Sequence, residues 1–548
     1  MAFTEVFLLE NNRARSAECE PRHHKVRAVG KVTESLPPRT IKEAHMRHIT
    51  HFIGGELTGE SARHGDVYNP ATGQVQAHVS LASKQEVDAC IDNARQAQVA
   101  WGAMNPQRRI RIINKWMQLI QENSDELART ITLEHGKTFD DAHGDIARGT
   151  DVLEFALGAP HQLKGEYSTN VGGGIDTYSM RQPLGVVAGI TPFNFPAMIP
   201  LWKAGPALAA GNAFVLKPSE RDPSVPVRLA ELFVEAGGPA GVFNVINGDK
   251  EAVDAILDST VIKAVGFVGS TPIAQYIYER CAATGKRAQC FGGAKNHVIV
   301  MPDANIDAAA DAIVGAAYGS AGERCMALSV AVPVGEETAD RLRDAVAARI
   351  ADLSVGHGLE KGVDYGPLVA QSALDRVNGL IEEGVQAGAE IIVDGRGLDL
   401  SDREFEGEAL GGYFIGPTLF DKVTPEMSIY TEEIFGPVLV MVRANSFEEA
   451  LRLPNEHAYG NGVAIFTENG GAAREFAARV EVGMVGINVP IPVPIAYFTF
   501  GGWKASAFGD LNQHGPDAFR FYTKTKTVTS RWPDGAESTA DFTMPVMK

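Results

Sequence analysis

The sequence predicts an α/β protein with parallel β-sheets and more than one domain. The chain has 548 residues, which is too long for one small core, so two or three domains are expected. Short apolar segments alternate with helical segments in the middle of the chain: strands at 213–216, 242–246 and 262–267, with helices at 225–236, 251–257 and 272–283. Such alternation is typical of βαβ units. A second series of this kind runs from 297 to about 487.

The segments on either side of this series have other patterns. Before this series, apolar residues recur every three or four positions, as they do in helices. Near the end of the chain, Thr and Lys alternate, which suits an exposed strand that pairs with another subunit. The predicted elements are a helical stretch at 84–133 ending at the C-cap Gly136, a helix at 141–157, a break at 172–174, strands at 178–180 and 185–190, and the exposed strand at 522–529.

Composition excludes several classes of function. The net charge is −18 and 45% of the residues are hydrophobic, so a general nucleic-acid or membrane binder is not expected. No segment approaches the ~20 apolar residues of a membrane helix. The five cysteines include no CxxC pair, which supports neither a metal site nor a disulfide framework and favours a reducing compartment.

The first 45 residues differ from the rest of the chain. They mix Arg, His, Glu and Pro without a long apolar run, so a secretory signal is not predicted. Three interpretations stay open: a disordered tail, a weak organelle-targeting segment, or sequence upstream of a true start at Met46.

Cys325 is the candidate nucleophile. It follows Arg324 in a turn-like stretch of small residues at 319–326. A neighbouring cation favours the thiolate, and small residues leave room for an electrophile. The alternative is a small buried hydrophobic residue without a chemical role.

A nucleotide site is expected although the GxGxxG fingerprint is absent. Three segments, 191–196, 217–221 and 266–271, follow predicted parallel strands, and ligands bind at the carboxyl ends of such strands. Ser270 and the helix after it suit a pyrophosphate, and Lys217 with Glu220 suits a ribose. Each could also be an ordinary turn residue.

Together these segments, with 432–437 and Cys325, resemble the NAD(P)-dependent aldehyde dehydrogenases over roughly residues 50–530. The resemblance implies a Rossmann-type NAD domain, an α/β catalytic domain and a small bridging β-sheet. It makes Cys325 the nucleophile and Asn194, with the Cys325 N–H, the oxyanion donor. It also implies these NAD contacts: Thr191, Phe193, Lys217, Glu220, Arg221, Ser270, Glu433 and Phe435.

One departure from the family pattern concerns hydrolysis. Hydrolytic members carry a glutamate four residues before the lysine of a Gly-Gly-Lys type motif, and this glutamate activates water. Here that position, four before Lys295, is Phe291, which cannot accept a proton. The acyl-enzyme then needs another acceptor, and a thiol is the natural one.

Three further segments, 293–297, 323–329 and 488–494, together with the tail 521–532, resemble the CoA-acylating methylmalonate-semialdehyde dehydrogenases. This resemblance implies oxidation of methylmalonate or malonate semialdehyde to propionyl-CoA or acetyl-CoA with loss of CO₂, as in valine, thymine or inositol breakdown. Arg324 and Arg148 would bind the substrate carboxylate. For Arg148 the alternative is a surface ion pair with Asp145 or Asp151.

The family also predicts organisation and location. The NAD domain is expected at about 50–170 and 183–290, the catalytic domain at 291–485 and the bridging sheet at 171–182 and 515–532, with 1–45 as a leader. A homotetramer, as a dimer of dimers, is expected in the bacterial cytoplasm or, alternatively, the mitochondrial matrix. The rival functions are a CoA-independent hydrolytic aldehyde dehydrogenase, a catalytically silent protein on this fold and an RNA-binding protein.

Overall fold

The computed structural model describes residues 46–532, and the leader prediction for 1–45 lies outside them. Its strands are β1 (Arg47–Ile49), β2 (Phe52–Ile53), β3 (Glu56–Leu57), β4 (Arg63–Asn69), β5 (Gln74–Leu81), β6 (Tyr167–Gly172), β7 (Ile175–Pro183), β8 (Val186–Ile190), β9 (Ala213–Lys217), β10 (Phe243–Val245), β11 (Ile262–Val268), β12 (Arg287–Phe291), β13 (Asn296–Val300), β14 (Leu328–Pro333), β15 (Glu390–Val393), β16 (Glu404–Phe405), β17 (Glu408–Ala409), β18 (Thr418–Asp421), β19 (Val438–Met441), β20 (Tyr459–Gly460), β21 (Gly462–Phe466), β22 (Met484–Ile487), β23 (Trp503–Lys504), β24 (Ala507–Phe508) and β25 (Thr523–Arg531).

The helices lie mainly between these strands. They are α1 (Lys84–Ala103), α2 (Pro106–Glu122), α3 (Ser124–His135), α4 (Phe139–Ala156), α5 (Ala159–Gln162), α6 (Met198–Ala209), α7 (Ser224–Glu235), α8 (Lys250–Asp258), α9 (Thr271–Ala283), α10 (Ile306–Tyr318), α11 (Glu336–Ile350), α12 (Gln371–Gln386), α13 (Ser428–Thr431), α14 (Phe447–Glu456), α15 (Gly470–Arg479) and α16 (Pro516–Phe521), with a 3₁₀ turn at Gly319–Gly322. No helix among residues 46–532 is long and apolar enough to cross a membrane.

The predicted helical stretch at 84–133 consists of three helices. Asn105 caps the second helix by accepting the N–H of Gln107, and Pro106 at its first position cannot continue the preceding helix. Gly136 ends the third helix at φ 97°, the left-handed conformation that the C-cap prediction requires. These breaks turn one continuous periodic pattern into a layer of packed helices.

Two sheets, each with a parallel centre and at least one antiparallel outer strand, organise the chain. The first has the order β24-β12-β11-β8-β9-β10-β2-β3, and its five central strands, β12 to β10 in that order, are parallel. The second has the order β15-β18-β19-β14-β13-β21-β22. Because β8, β9 and β11 are neighbours, the loops after Ile190, Lys217 and Val268 meet at one edge of the first sheet.

The predicted bridging sheet consists of β6, β7 and β25. Its first strand begins at Tyr167, earlier than the predicted 171, because Tyr167 pairs with Tyr178 and the two rings stack 5.6 Å apart. The predicted range 515–532 also includes α16, whose Phe519 and Phe521 are buried in the core beside the first sheet. Only the strand part of that range therefore belongs to the three-stranded sheet.

Separate apolar cores support the two sheets, and a smaller cluster joins elements of both. In that cluster Phe195, Met198 and Trp202 from the segment after β8 pack with Met326 beside the candidate nucleophile. Val268, at the end of β11, packs against the same cluster. Cys325 therefore lies near the carboxyl ends of the first sheet, as predicted.

Candidate active site

Cys325 lies in the connection between α10 and β14, after an unusual left-handed turn. Ser320, Ala321 and Gly322 have φ values of 56°, 52° and 73°. Each left-handed non-glycine residue costs roughly 1–2 kcal/mol, so packing must hold this turn in place. At Gly322 a Cβ atom would lie 2.2 Å from the carbonyl oxygen of Gly436, which leaves room only for glycine. The turn brings Cys325 against the segment that carries Glu433 and Phe435.

The peptide groups around Cys325 have fixed directions. Its carbonyl oxygen accepts hydrogen bonds from the side-chain amides of Asn296 and Asn461, both at 3.0 Å. The backbone N–H groups of Cys325 and Met326 favour the thiolate and so oppose the rise in the pKa of the thiol. The predicted role of the Cys325 N–H as an oxyanion donor stays a prediction.

The electrostatics of Cys325 differ from the sequence prediction. Burial and, to a lesser extent, the nearby Glu433 carboxylate raise the pKa of the thiol to about 12, whereas Lys137 lowers it. The Arg324 guanidinium instead donates to Asp141 at 2.6 Å. The expectation that the adjacent arginine favours the thiolate is therefore wrong, because its guanidinium binds Asp141 while burial and the Glu433 carboxylate hold the thiol pKa above its ordinary value.

A cavity of about 390 Å³ opens on one side of Cys325. Most of its wall is apolar, and two arginines and two aspartates supply the charge. Its lining residues are Asp141, Gly144, Asp145, Arg148, Phe195, Met198, Trp202, Arg324, Cys325, Met326, Ile491, Val493 and Phe500. Both predicted substrate arginines thus line the same cavity as the nucleophile.

The position of Arg148 fits both of its predicted roles in part, the substrate contact and the surface ion pair. Its guanidinium lies 3.3 Å from Asp151, which is the surface ion pair of the alternative, and donates to the carbonyl of Pro494 at 3.0 Å. The Asp151 side chain is 45% exposed, so the pair is weak. Because Arg148 also lines the cavity, its guanidinium can exchange the solvated carboxylate of Asp151 for a carboxylate bound in the cavity.

Asn194 lies between two aromatic residues that face opposite sides of the nucleophile. Phe195 lines the cavity with Cys325, and the Phe193 ring contacts Phe435 edge-on with centroids 5.9 Å apart. Asn194 itself is 3% exposed, and its backbone carbonyl accepts a hydrogen bond from Lys137. Its predicted role as the oxyanion donor stays a prediction.

The predicted cofactor residues form a group along the edge of the first sheet. The Thr191 N–H bonds to the Lys217 carbonyl, and the Lys217 ammonium lies 3.0 Å from the Glu220 carboxylate. The Arg221 guanidinium lies 5.4 Å from the centre of the Phe193 ring. The Thr191 hydroxyl is buried without a hydrogen-bond partner, which leaves a polar group for a bound ligand.

Ser270 occupies the next position along the same edge. It is the exposed N-cap of α9, and its side chain makes no capping bond. The start of this helix therefore has no side-chain cap, and a helix N-terminus of this kind suits a phosphate. The residue types and their order along the edge fit a dinucleotide.

A narrow space on the other side of Cys325 is lined by Glu433 and Phe435. Glu433 accepts the N–H of Ala294 at 2.9 Å, and Phe435 has a left-handed φ of 55°. The buried Lys295 donates to the carbonyls of Ile429 and Glu432, which fixes this segment. The structure therefore brings both predicted nicotinamide-side residues to the nucleophile.

Several residues of this site were missed in the sequence. They are Lys137, Asn296 and Asn461, whose side chains donate hydrogen bonds to backbone carbonyl oxygens. The only sequence signals are the polar run after Lys295 and the position of Lys137 directly after the C-cap Gly136. Neither signal indicates a partner, because the partners are more than 20 residues away along the chain.

Phe291 ends β12 and is 5% exposed. Its ring contacts Phe500 edge-on at 6.2 Å between centroids, and Phe500 lines the cavity of Cys325. The position that holds a general base in hydrolytic enzymes is therefore part of an aromatic contact. Among residues 46–532 there is also no cluster of three or more His, Cys, Asp or Glu side chains suited to a metal ion.

Comparison with known proteins gives a consistent result. The aldehyde dehydrogenase family model matches residues 57–528. The malonate-semialdehyde dehydrogenase of Pseudomonas aeruginosa is 53% identical over 501 residues, which are 91% of this chain and 100% of the relative. The relative from Halalkalibacterium halodurans, which has the same name, is 45% identical over 88% of this chain and 98% of its own length.

Two solved structures are similar over nearly their full lengths. One is a Sinorhizobium meliloti protein assigned as a methylmalonate-semialdehyde dehydrogenase and complexed with NAD, with 58% identity, a TM-score of 0.87 and coverage of 90% of this chain and 99% of the other. The other is methylmalonate-semialdehyde dehydrogenase from Oceanimonas doudoroffii, with 52% identity, a TM-score of 0.87 and coverage of 89% and 99%. This chain is therefore an α/β enzyme that belongs to the aldehyde dehydrogenase family.

Proposed function

We propose that this enzyme oxidises malonate or methylmalonate semialdehyde with NAD and transfers the resulting acyl group to CoA, with release of CO₂. The observation that carries the proposal is the combination of Phe291 at the position of the hydrolytic base with two arginines in the cavity of Cys325. The names of the relatives support the substrate class, and the NAD-bound neighbour supports the cofactor.

The first step is addition of the Cys325 sulfur to the aldehyde carbon. The thiol must lose its proton for this attack, and the raised pKa makes that loss unfavourable before substrate and cofactor bind. The carbonyl oxygen becomes an oxyanion, which accepts hydrogen bonds from the Asn194 side chain and the Cys325 N–H.

Oxidation leaves an acyl thioester on the same sulfur. NAD supplies the acceptor for the hydride that leaves the former aldehyde carbon. Thr191, Phe193, Lys217, Glu220, Arg221 and Ser270 would hold the cofactor along the sheet edge, with Glu433 and Phe435 at its nicotinamide ribose. The cavity on the opposite side of Cys325 then holds the rest of the substrate.

Arg148 and Arg324 would bind the substrate carboxylate on this second side. A guanidinium group fits a carboxylate with two parallel hydrogen bonds, so the pair selects against simple alkyl aldehydes. Loss of the carboxylate as CO₂ leaves its electron pair on the neighbouring carbon, which takes up a proton. The CoA thiol then attacks the thioester carbon and releases Cys325.

Hydrolysis is the competing fate of the thioester. Three carboxyl groups line the spaces around Cys325, and each has another partner: Asp141 binds Arg324, Asp145 accepts the N–H of Met198, and Glu433 accepts the N–H of Ala294. With an aromatic ring at 291, slow deacylation by water is expected. The CoA-independent alternative is therefore disfavoured.

The proposal is tested by NADH formation from malonate semialdehyde with NAD, measured with and without CoA. We expect continuous turnover with CoA and at most a single enzyme equivalent of rapid NADH without it. Equal steady rates in both assays would support the hydrolytic alternative. Absence of NADH in both would support a silent protein.

We also propose a homotetramer, arranged as a dimer of dimers, in the bacterial cytoplasm, with the NAD and catalytic domains divided as predicted and with β6, β7 and β25 as the bridging sheet. The outer strand β25 supports assembly, because it pairs with β7 on one side and its Lys524–Thr527 side chains are exposed. A monomer at micromolar concentration by light scattering would contradict the tetramer.

A further inference from the structure

Lys137 has an unusual position between the substrate cavity and the cofactor edge. It follows Gly136 in the connection between α3 and α4, and its side chain is fully buried. The ammonium donates to the Asn194 carbonyl at 2.7 Å and lies 4.1 Å from the centre of the Phe195 ring. A buried lysine thus holds the segment that carries the predicted oxyanion donor.

The same ammonium faces two aspartates of α4. Its nitrogen is 3.9 Å from an oxygen of Asp141 and 3.8 Å from an oxygen of Asp145, and both of these oxygens are buried without another hydrogen-bond partner. Both distances are longer than a hydrogen bond, so the hydrogen bond to the Asn194 carbonyl determines where the ammonium points.

The other oxygens of these carboxylates bind the rest of the site. Asp141 accepts from Arg324 at 2.6 Å, next to the nucleophile. Asp145 accepts the N–H of Met198 at 2.7 Å, at the start of α6. Lys137 is therefore at the centre of a network that joins the Asn194 segment, the substrate arginine and the first turn of α6.

We infer that Lys137 is a positioning residue, which holds Asn194 through its backbone carbonyl in the place where the side chain meets the developing oxyanion. This inference rests on the proposed role of Asn194. Because Asn194 donates to the carbonyl oxygen of the aldehyde, Lys137 affects every aldehyde, with or without a carboxylate. Arg148, by contrast, affects only substrates with a carboxylate.

The test begins with Lys137→Met, which keeps the apolar stem and removes the ammonium. We expect kcat to fall about 10- to 100-fold for both malonate semialdehyde and propanal, since a charge-assisted hydrogen bond is lost. The KM for NAD should stay within about twofold, because this bond does not touch the cofactor residues. Equal kcat in variant and wild type would overturn the inference.

Lys203→Met is the matched control. Lys203 is also fully buried, but its ammonium bonds to the side chain of Gln513 rather than to the Asn194 segment. Removing this lysine tests whether loss of any buried lysine slows the enzyme. A kcat loss as large as that of Lys137→Met, with both proteins folded, would contradict a specific role for Lys137.

A double-mutant cycle separates positioning from a general structural role. Asn194→Ala should reduce kcat about 10²- to 10³-fold if Asn194 is the oxyanion donor. The double variant Lys137→Met/Asn194→Ala should then be no slower than Asn194→Ala alone, because Lys137 acts through Asn194. Multiplied losses would overturn the inference.

Full kcat in Asn194→Ala alone would instead defeat the proposed oxyanion donor, so the two failures are distinguishable. If Lys137→Met does not fold, the cycle is run with Lys137→Gln. Its amide is neutral but can still donate to the carbonyl of Asn194, so a smaller loss is expected. Non-additivity with Asn194→Ala again decides the outcome.

Discussion

The two sides of Cys325 differ in size, charge and construction. The substrate side is a cavity of about 390 Å³ whose two arginines come from distant parts of the chain. The cofactor side is a narrow space in which Glu433 is held by a backbone N–H and the Phe435 segment by buried Lys295. Under the proposed function, substrate choice can therefore change on one side of Cys325 while hydride transfer is kept on the other.

The largest effect is expected from a change at Cys325, which lines the spaces on both sides. Cys325→Ala removes the group that forms the covalent bond, so NADH formation should be abolished with every aldehyde. NAD binding should be retained, because Lys217, Glu220 and Ser270 are untouched. Fluorescence titration with NAD and a stopped assay check both parts, and turnover in the variant would refute the assignment of the nucleophile.

A smaller effect, confined to the substrate side, is expected for Arg148→Leu. It should raise KM for malonate semialdehyde so that selectivity over propanal falls on the order of 10- to 100-fold, as expected for one charge-assisted bond. Arg324→Leu should be worse, since it also leaves the half-buried Asp141 carboxylate without its guanidinium partner.

The control for Arg148→Leu is Arg479→Leu, which breaks the surface pairs with Glu448 and Glu475. Its kinetics should match the wild type. Equal losses for malonate semialdehyde and propanal in Arg148→Leu would show that Arg148 supports the fold and does not bind the substrate.

The smallest effect is expected at Glu433, whose charge changes the reactivity of the Cys325 thiol from the cofactor side. The pKa of Cys325 is raised to about 12, so the thiolate fraction and the alkylation rate by iodoacetamide should rise about tenfold per pH unit between pH 7 and 10. Because Glu433 raises this pKa, Glu433→Gln should speed alkylation at each pH by about 3- to 10-fold. A plateau near pH 7 in the wild type would contradict the raised pKa.

The sequence predicted most of the elements that position the site. The βαβ strands at β9, β10 and β11 were found because buried parallel strands read as short apolar runs between helices. The helical stretch after Lys84 was not divided correctly, since its apolar period continues through Asn105 and Asn123 while the backbone turns there. Turn positions depend on caps and tertiary packing more than on period.

The chemistry of the site was less predictable than its location. Cys325 and Arg324 adjoin in sequence, which suggests an activating cation, but the fold directs the guanidinium to Asp141. The charge that lowers the thiol pKa comes from Lys137, nearly 190 residues away along the chain. Long-range contacts of this kind set burial and charge, and no local pattern in the sequence reports them.

In the proposed function the thioester on Cys325 waits for a thiol, because Phe291 cannot activate water. Mass spectrometry of the Cys325 peptide, after malonate semialdehyde and NAD are mixed with the enzyme without CoA, tests this step. We expect an acyl group on Cys325 that persists for many turnover times and disappears when CoA is added. An unmodified cysteine together with continued NADH formation would contradict it.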